Sequence, residues 1–197
     1  MLRRLALALL VTAVACASSG GSAKKGSSTT GATTSTTVEA APRIELTSSA
    51  FKNGGAIPGQ YTCDGASQSP PLSWAAVPAG TASLALRVQD IDTPQKFVHW
   101  LVYDIKPSTT SLAAGETPPV AKQTPNSFGK PGYGGPCPPT GQRHRYVFTL
   151  LALATELNAS ENVSPTELWA TLERSAVTGK GELTGTYQRS SVPSTTA

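Results

Sequence analysis

The sequence has few of the residues that most enzymes use for chemistry. Its 197 residues include only two histidines, three cysteines and one methionine, and charged residues make up 14% of the chain. It contains no Gly-x-Ser-x-Gly turn that would expose a serine nucleophile, no HExxH pair and no Walker loop. The cysteines lack the CxxC spacing of zinc sites. These absences argue against hydrolases and metalloenzymes, so we expect a protein without catalytic activity and without a bound cofactor or metal.

The sequence also lacks a basic domain. The formal net charge is +4, but residues 44–189 contain eleven Lys or Arg and eleven Asp or Glu. The excess cations all lie before this segment: Arg3, Arg4, Lys24, Lys25 and Arg43. Because nucleic-acid-binding domains carry basic patches, a neutral domain argues against a nucleic acid as the partner.

The longest apolar run, near the N-terminus, is too short to span a bilayer. Residues 1–15 carry two arginines, then the apolar run, then small residues, which is the plan of a secretory signal peptide. Cys16 directly after a Val-Ala pair suggests a lipobox, so we expect a lipid on Cys16 and anchoring at the outer face of the cell membrane. Ordinary cleavage nearby, with secretion of the protein, is the alternative.

Composition divides the rest of the chain. Residues 16–43 hold the lipidated cysteine and a Ser-, Thr- and Gly-rich segment that cannot bury enough apolar surface to fold, which predicts a flexible tether. Residues 190–197 are similar and predict a flexible tail. Residues 44–189 have the size of one domain.

Two cysteines remain for the domain, Cys63 and Cys137. An even pair in an exported protein tends to form a disulfide. Two separate buried thiols are the alternative.

Short apolar segments separated by Gly and Pro predict strands. Residues 83–90 alternate apolar and polar positions, while 97–105 and 145–154 are apolar on both faces, as in strands buried between two layers. Weaker strand candidates are 44–46 and 182–188. One helix is predicted near Ser164 as N-cap, with Pro165 at its first position and Glu167 completing a capping box, and 107–125 is predicted to be a surface loop. The fold class is therefore mainly β, a β-sandwich with a few helices.

Both histidines lie near strand ends beside turn-rich sequence. His99 lies in FVHWLVY, His144 lies in GQRHRYVF, and Asp90 and Asp92 lie in QDIDTPQ. Imidazole and carboxylate groups gathered at strand ends predict a small polar pocket at one rim of the sandwich. Structural histidines and a simple Asx turn are the alternative interpretation.

The run 129–141, GKPGYGGPCPPTG, is rich in Gly and Pro. Glycine lets backbone N–H groups approach an anion and form a concave nest, and proline stiffens the loop. With the imidazoles, such a loop suits a phosphate or carboxylate anion. A rigid loop that only crosses the edge of the sandwich is the alternative.

Four blocks in order resemble the phosphatidylethanolamine-binding protein family, in its bacterial Raf-kinase-inhibitor-like branch. These blocks are YTCDGASQSPPLSW (61–74), DIDTP (90–94), FVHW (97–100) and GYGGPCPPTGQRHRYVF (132–148). The resemblance implies a two-sheet Greek-key β-sandwich with an anion pocket at one end, which takes phosphate, acetate or a phospholipid headgroup.

Carried over by motif, the resemblance assigns ligand-binding positions to Asp90, His99, Gly135, Pro136, His144 and Tyr146. It gives supporting positions to Asp92 and Trp100. Because the blocks with Cys63 and Cys137 would both flank the site, the resemblance also implies a bridge that pins the loop.

The chain departs from the family pattern at Ile91, which stands where the family usually has Pro and predicts a looser turn. An exported copy cannot meet a cytosolic kinase, so the branch name does not imply kinase inhibition. The leading hypothesis is a membrane-anchored anion-binding protein. The alternatives are a protein-interaction module that inhibits an exported enzyme or receptor through the loop 107–125, and a phosphoester or acyl hydrolase with His144 as base.

Overall fold

The computed structural model describes residues 41–190. The predicted signal peptide, Cys16, most of the tether and nearly all of the tail lie outside this part of the chain, so those predictions stay predictions. The elements in chain order are β1 (Glu45–Thr47), a 3₁₀ turn (Gly59–Tyr61), β2 (Leu72–Ala75), β3 (Ser83–Asp90), β4 (Val98–Ile105), β5 (Ser111–Leu112), β6 (Lys122–Gln123), β7 (Arg143–Leu153), α1 (Pro165–Arg174) and β8 (Val177–Gln188).

Two antiparallel sheets form the described domain. One has three strands in the order β1-β2-β5, and the other has five in the order β6-β4-β3-β7-β8. The predicted class, a mainly β two-sheet sandwich, is confirmed, and within residues 41–190 it carries one α-helix. The predicted loop 107–125 contributes the two shortest strands, β5 and β6.

The five-stranded sheet is buried on both faces at its centre. Leu84, Leu86 and Val88 of β3 pack into the core between the two sheets, as their period of two predicts. The opposite face of the same sheet packs against α1 through Leu168 and Leu172 of the helix. This second layer explains why β4 and β7 read as apolar on both faces.

The helix begins at Pro165, as predicted, but the predicted capping box is wrong. Ser164 occupies the N-cap position and its side chain makes no capping hydrogen bond. The structure therefore leaves the first turn of α1 without a side-chain cap.

A bulge in β4 decides which way His99 faces. Val88 lies opposite Trp100 and Gln89 lies opposite Val98, so His99 is an extra residue on β4. Trp100 packs in the core between the sheets, and the His99 ring lies 5.2 Å from that of Tyr146, which belongs to the same core. Strict alternation would send these two neighbours to opposite faces, so the bulge brings His99 to the inter-sheet face.

Candidate functional site

Asp90 and His144 form a buried pair where β3 ends and β7 begins. Asp90 lies opposite Tyr146 in the β3–β7 register, and His144 lies two residues earlier on β7 and so on the same face. The Nδ1 of His144 is 2.7 Å from Oδ2 of Asp90, and because a carboxylate can only accept, the ring nitrogen donates. His144 is 8% exposed and Asp90 is 3% exposed. Nε2 of His144 lies 3.4 Å from Oε1 of Gln142 and points away from Asp90.

The second oxygen of Asp90 stabilises the turn that follows β3. Oδ1 accepts a hydrogen bond of 2.9 Å from the backbone N–H of Asp92. The Asp92 carboxylate in turn accepts bonds from the backbone N–H of Arg145 at 2.7 Å and from its guanidinium at 3.0 Å. The hydrogen bond from Arg145 lowers the pKa of Asp92. Asp92 therefore lies outside the buried pair and ties the turn to β7.

His99 lies beside this pair and is bound to the glycine-rich loop. Its Nδ1 donates to the carbonyl oxygen of Gly134 at 2.7 Å, and its own carbonyl accepts from the N–H of Gly134 at 2.9 Å. Burial lowers the pKa of His99 below 6.5, although the Gly134 hydrogen bond and the Asp90 charge oppose this effect. The ring is therefore held in one orientation with Nε2 left for another partner.

Tyr146 completes the cluster. Its ring packs edge-on against His99, and its hydroxyl is buried with no hydrogen-bond partner within residues 41–190. Burial, followed by the charge of the neighbouring Asp90 carboxylate, raises the pKa of Tyr146; the hydroxyl lies close enough to this carboxylate to interact with it, but not in the geometry of a hydrogen bond. The hydroxyl thus keeps its proton and can donate a hydrogen bond to a ligand.

The amides of Gly134 and Gly135 are bonded within the protein, so these two do not contribute to the predicted backbone nest. The N–H of Gly134 donates to His99, and the N–H of Gly135 donates to Oγ of Ser67 at 2.8 Å. The carbonyl of Pro136 accepts from the N–H of Cys63 at 3.1 Å. A Cβ on Gly135 would come within 2.7 Å of the Thr62 backbone, so glycine here permits close packing of two loops.

A disulfide joins the same two loops. Cys63 and Cys137 are bonded, with their Cα atoms 5.4 Å apart, so the predicted pairing is confirmed. A cavity of about 500 Å³ borders this bridge and the loop, and is lined by Cys63, Ser67, Asn126, Phe128, Lys130, Pro131, Tyr133, Gly134, Gly135 and Cys137. Within residues 41–190, no group of three or more His, Cys, Asp or Glu side chains is close enough together to hold a metal ion.

Comparison with known proteins identifies the family. A sequence model of the family described as phosphatidylethanolamine-binding protein matches residues 47–188.

The chain belongs to the phosphatidylethanolamine-binding protein family.

Individual relatives agree with this assignment. A UPF0098 protein of Chlamydia pneumoniae is 44% identical over 153 residues, which cover 75% of this chain and 100% of that protein. LppC, a proposed lipoprotein of Mycobacterium tuberculosis, is 40% identical over 151 residues, covering 76% of this chain and 74% of LppC. The crystal structure of a family homologue from Chlamydia trachomatis has a TM-score of 0.69 and 37% identity, and covers 76% of this chain and 99% of that chain.

At Ile91, where the chain departs from the family pattern, the turn makes a backbone hydrogen bond. The N–H of Ile91 donates to the carbonyl of Arg145 at 3.1 Å, a bond that proline could not make. The turn has this bond in addition to those of Asp90 and Asp92, and the prediction of a looser turn stays a prediction.

The structure places the predicted residues in three groups. Asp90, His99, His144 and Tyr146 lie together, and Gly135 and Pro136 lie in the loop whose Gly134 binds His99. Trp100 lies in the inter-sheet core, where its Nε1 donates to Oε1 of Gln123 at 2.7 Å and its ring packs edge-on against Tyr133.

Two residues near the site were missed from the sequence. Gln142 lies two residues before His144, and the same period of two that places Tyr146 could have found it. Ser67 binds Gly135 across 68 residues of chain, and no local pattern in the sequence indicates this contact.

The lowered pKa of His99 predicts that acid destabilises the domain. As the pH falls through 6.5, the unfolded chain takes up a proton that the folded state resists, so the free energy of unfolding should decrease below pH 6.5. Denaturant unfolding at about pH 7 and about pH 5 measures this change. In His99→Asn, whose amide can still donate to Gly134, the decrease should be smaller. An identical pH dependence in both proteins would contradict the role given to burial.

Proposed function

We propose that this family member is a membrane-anchored, extracytoplasmic binding protein for a small oxyanion, either phosphate or the phosphoryl headgroup of a phospholipid. The observation that carries the proposal is the buried Asp90–His144 pair beside the Tyr146 hydroxyl, which is buried and unpartnered within residues 41–190. The proposal assigns a binding role and no catalytic role to this cluster.

The side chains supply the donors that an oxyanion needs. The Asp90 carboxylate fixes Nδ1 of His144 as a donor, which leaves Nε2 to face a ligand and to donate to it when the imidazole is protonated. The Tyr146 hydroxyl supplies a second donor, and His99 supplies a third when it is protonated. The two Asp90 oxygens accept from His144 and from the backbone N–H of Asp92, so the carboxylate positions the imidazole and the turn.

Burial limits the size of the group that can reach these donors. His99 and His144 are less than a tenth exposed, so only a group as small as phosphoryl would fit beside them and a larger substituent would extend outward. The cavity of about 500 Å³ beside Gly134 and Gly135 offers space for such a substituent, and Lys130 lines it as a cation.

Binding is favoured over hydrolysis because, among residues 41–190, no Ser or Cys side chain is hydrogen-bonded to the His144 imidazole. Nε2 of His144 has the amide oxygen of Gln142 as its neighbour, where a hydrolase would place a Ser or Cys. The membrane location rests on the signal-peptide pattern of residues 1–15, on Cys16, and on a relative, LppC, that is itself proposed to be a lipoprotein.

Calorimetric titration with inorganic phosphate and with phosphoethanolamine tests the proposal. We expect saturable binding of both, and Tyr146→Phe should weaken binding about tenfold, the equivalent of one hydrogen bond to a charged group. Similar affinity for the two ligands would mean that the phosphoryl group alone is recognised, and tighter binding of phosphoethanolamine would favour a headgroup.

Tyr103→Phe is the matched control, because the Tyr103 hydroxyl donates to Ala159 on the opposite face of the sheet. It should bind phosphate as the unchanged protein does. Absence of phosphate and phosphoethanolamine binding in the unchanged protein would refute the proposed function.

A further inference from the structure

The opposite face of the five-stranded sheet carries an unusual arginine. Arg87 lies in the middle of β3, paired with Leu101 on one side and Thr149 on the other. Arg87 lies three residues before Asp90, and side chains alternate along a strand, so the two residues are on opposite faces of the sheet. The side chain of Arg87 is therefore on the face that α1 covers. There its guanidinium carbon lies 4.1 Å from the ring centroid of Trp169, a cation–π contact.

Two buried N–H donors in this contact have no acceptor. Neither Nε of Arg87 nor Nε1 of Trp169 has a hydrogen-bond partner within residues 41–190. Trp169 is only 1% exposed. Because buried donors are almost always hydrogen-bonded, two of them side by side indicate a place for a group that accepts.

Both residues line a cavity of about 270 Å³ between β3 and α1. Its lining residues are Arg87, Gln89, Gln95, Lys96, Thr166, Trp169, Ala170 and Glu173. Two cations and one carboxylate therefore face the cavity. Thr166 belongs to the first turn of α1, which has no side-chain cap and whose dipole also favours negative charge.

The charge of Arg87 persists despite its burial. Desolvation lowers the pKa of Arg87 to about 10, while the charges of Glu173 and Glu182 oppose this effect. The guanidinium is therefore still protonated near neutral pH. A cation held between a sheet and a helix, with no carboxylate bonded to it among residues 41–190, remains available to an anion.

We propose that this cavity, which we term the helix-side site, binds a carboxylate monoanion through Nε of Arg87 and Nε1 of Trp169, with Lys96 at its mouth. Glu173 faces the same cavity and would repel a dianion more strongly than a monoanion, which favours a carboxylate over phosphate. The site lies on the other face of β3 from the histidine cluster and does not depend on it.

The test follows the indole N–H signals in ¹H–¹⁵N spectra of the full chain during titration with acetate. The chain has three tryptophans, and Trp169→Phe identifies the relevant signal. We expect the Trp169 signal to shift saturably, and to do so also in His144→Ala. A peptide with a free C-terminal carboxylate should act in the same way if chain ends are the ligand, and its amidated form should not.

Three variants and one control complete the test. Arg87→Gln should weaken acetate binding about tenfold or more, Lys96→Gln a few-fold, and Glu173→Gln should strengthen it. Lys96 and Glu173 are exposed, so their variants keep the test decisive if Arg87→Gln does not fold. Arg143→Gln, which removes an exposed arginine from β7, should have no effect. A Trp169 signal that does not move with acetate, or unchanged affinity in both Lys96→Gln and Glu173→Gln, would overturn the proposal.

Discussion

Replacing Cys63 and Cys137 together by alanine is expected to lower the free energy of unfolding by about 4 kcal/mol. The bridge joins residues separated by 74 positions, and a loop of this length gives a large entropy of closure in the unfolded chain. The effect is large because a domain of this size is stabilised by only about 5–15 kcal/mol.

The disulfide also acts locally on the site. It joins the loop that contains Ser67 to the loop that contains Gly135 and Pro136, and hydrogen bonds join the two loops beside it. We expect its loss to loosen the loop that binds His99, so phosphate affinity should fall as well as stability.

Urea unfolding of the double variant and of the reduced protein measures the first effect. Both cysteines are exposed, so a dithiol reductant can reach the bridge, and the two samples should unfold at the same urea concentration. The variant Ser111→Ala, in the short edge strand β5 far from the bridge in sequence, should unfold as the unchanged protein does. A double variant that is as stable as the unchanged protein would contradict the account.

Replacing His144 by alanine is expected to reduce phosphate affinity about a hundredfold, which corresponds to about 3 kcal/mol. The change removes the imidazole, whose Nε2 donates to an anion when the ring is protonated, and leaves the Asp90 carboxylate buried without its partner. A buried charge without a partner repels an incoming anion and also destabilises the fold. Calorimetry measures the affinity, and thermal unfolding shows that the variant is folded at the temperature used.

Two further variants separate the loss of the imidazole from the loss of the carboxylate and from the loss of a cation. In Asp90→Asn the imidazole keeps an acceptor but loses the carboxylate, so phosphate binding should weaken less than in His144→Ala. Arg143→Ala is the control for loss of a cation, because among the described residues the side chain of this exposed arginine hydrogen-bonds only to Gln188. Equal phosphate affinity in His144→Ala and the unchanged protein would exclude His144 from the site.

Periodicity made much of the central sheet predictable. The strand 83–90 has the predicted bounds, since alternation over eight residues has no helical alternative. The same rule places His144 and Tyr146 on one face of β7. Apolar residues on both faces of β4 and β7 correctly predict a layer on each side of the sheet.

The remaining features depend on contacts that are distant in sequence. The bulge that turns His99 toward Tyr146 exists only in the register of two strands, and a period of two would place His99 wrongly. The glycine-rich loop suggested a nest, but its amides bind His99 and Ser67, which only the folded chain brings close. In the sequence, Arg87 is one polar position in an alternating strand. The cavity beside it forms only because α1 packs over this face of the sheet in the folded chain.

The binding role of His144 is tested by an imidazole ¹H–¹⁵N spectrum recorded during titration with phosphate. The chain has only two histidines, so one variant assigns both rings. The account predicts that the Nε2 signal of His144 shifts saturably with phosphate, that the signal of His99 responds less, and that Nδ1 of His144 remains hydrogen-bonded to Asp90 throughout. Histidine signals that stay unchanged at the highest phosphate concentration would contradict phosphate binding at His144.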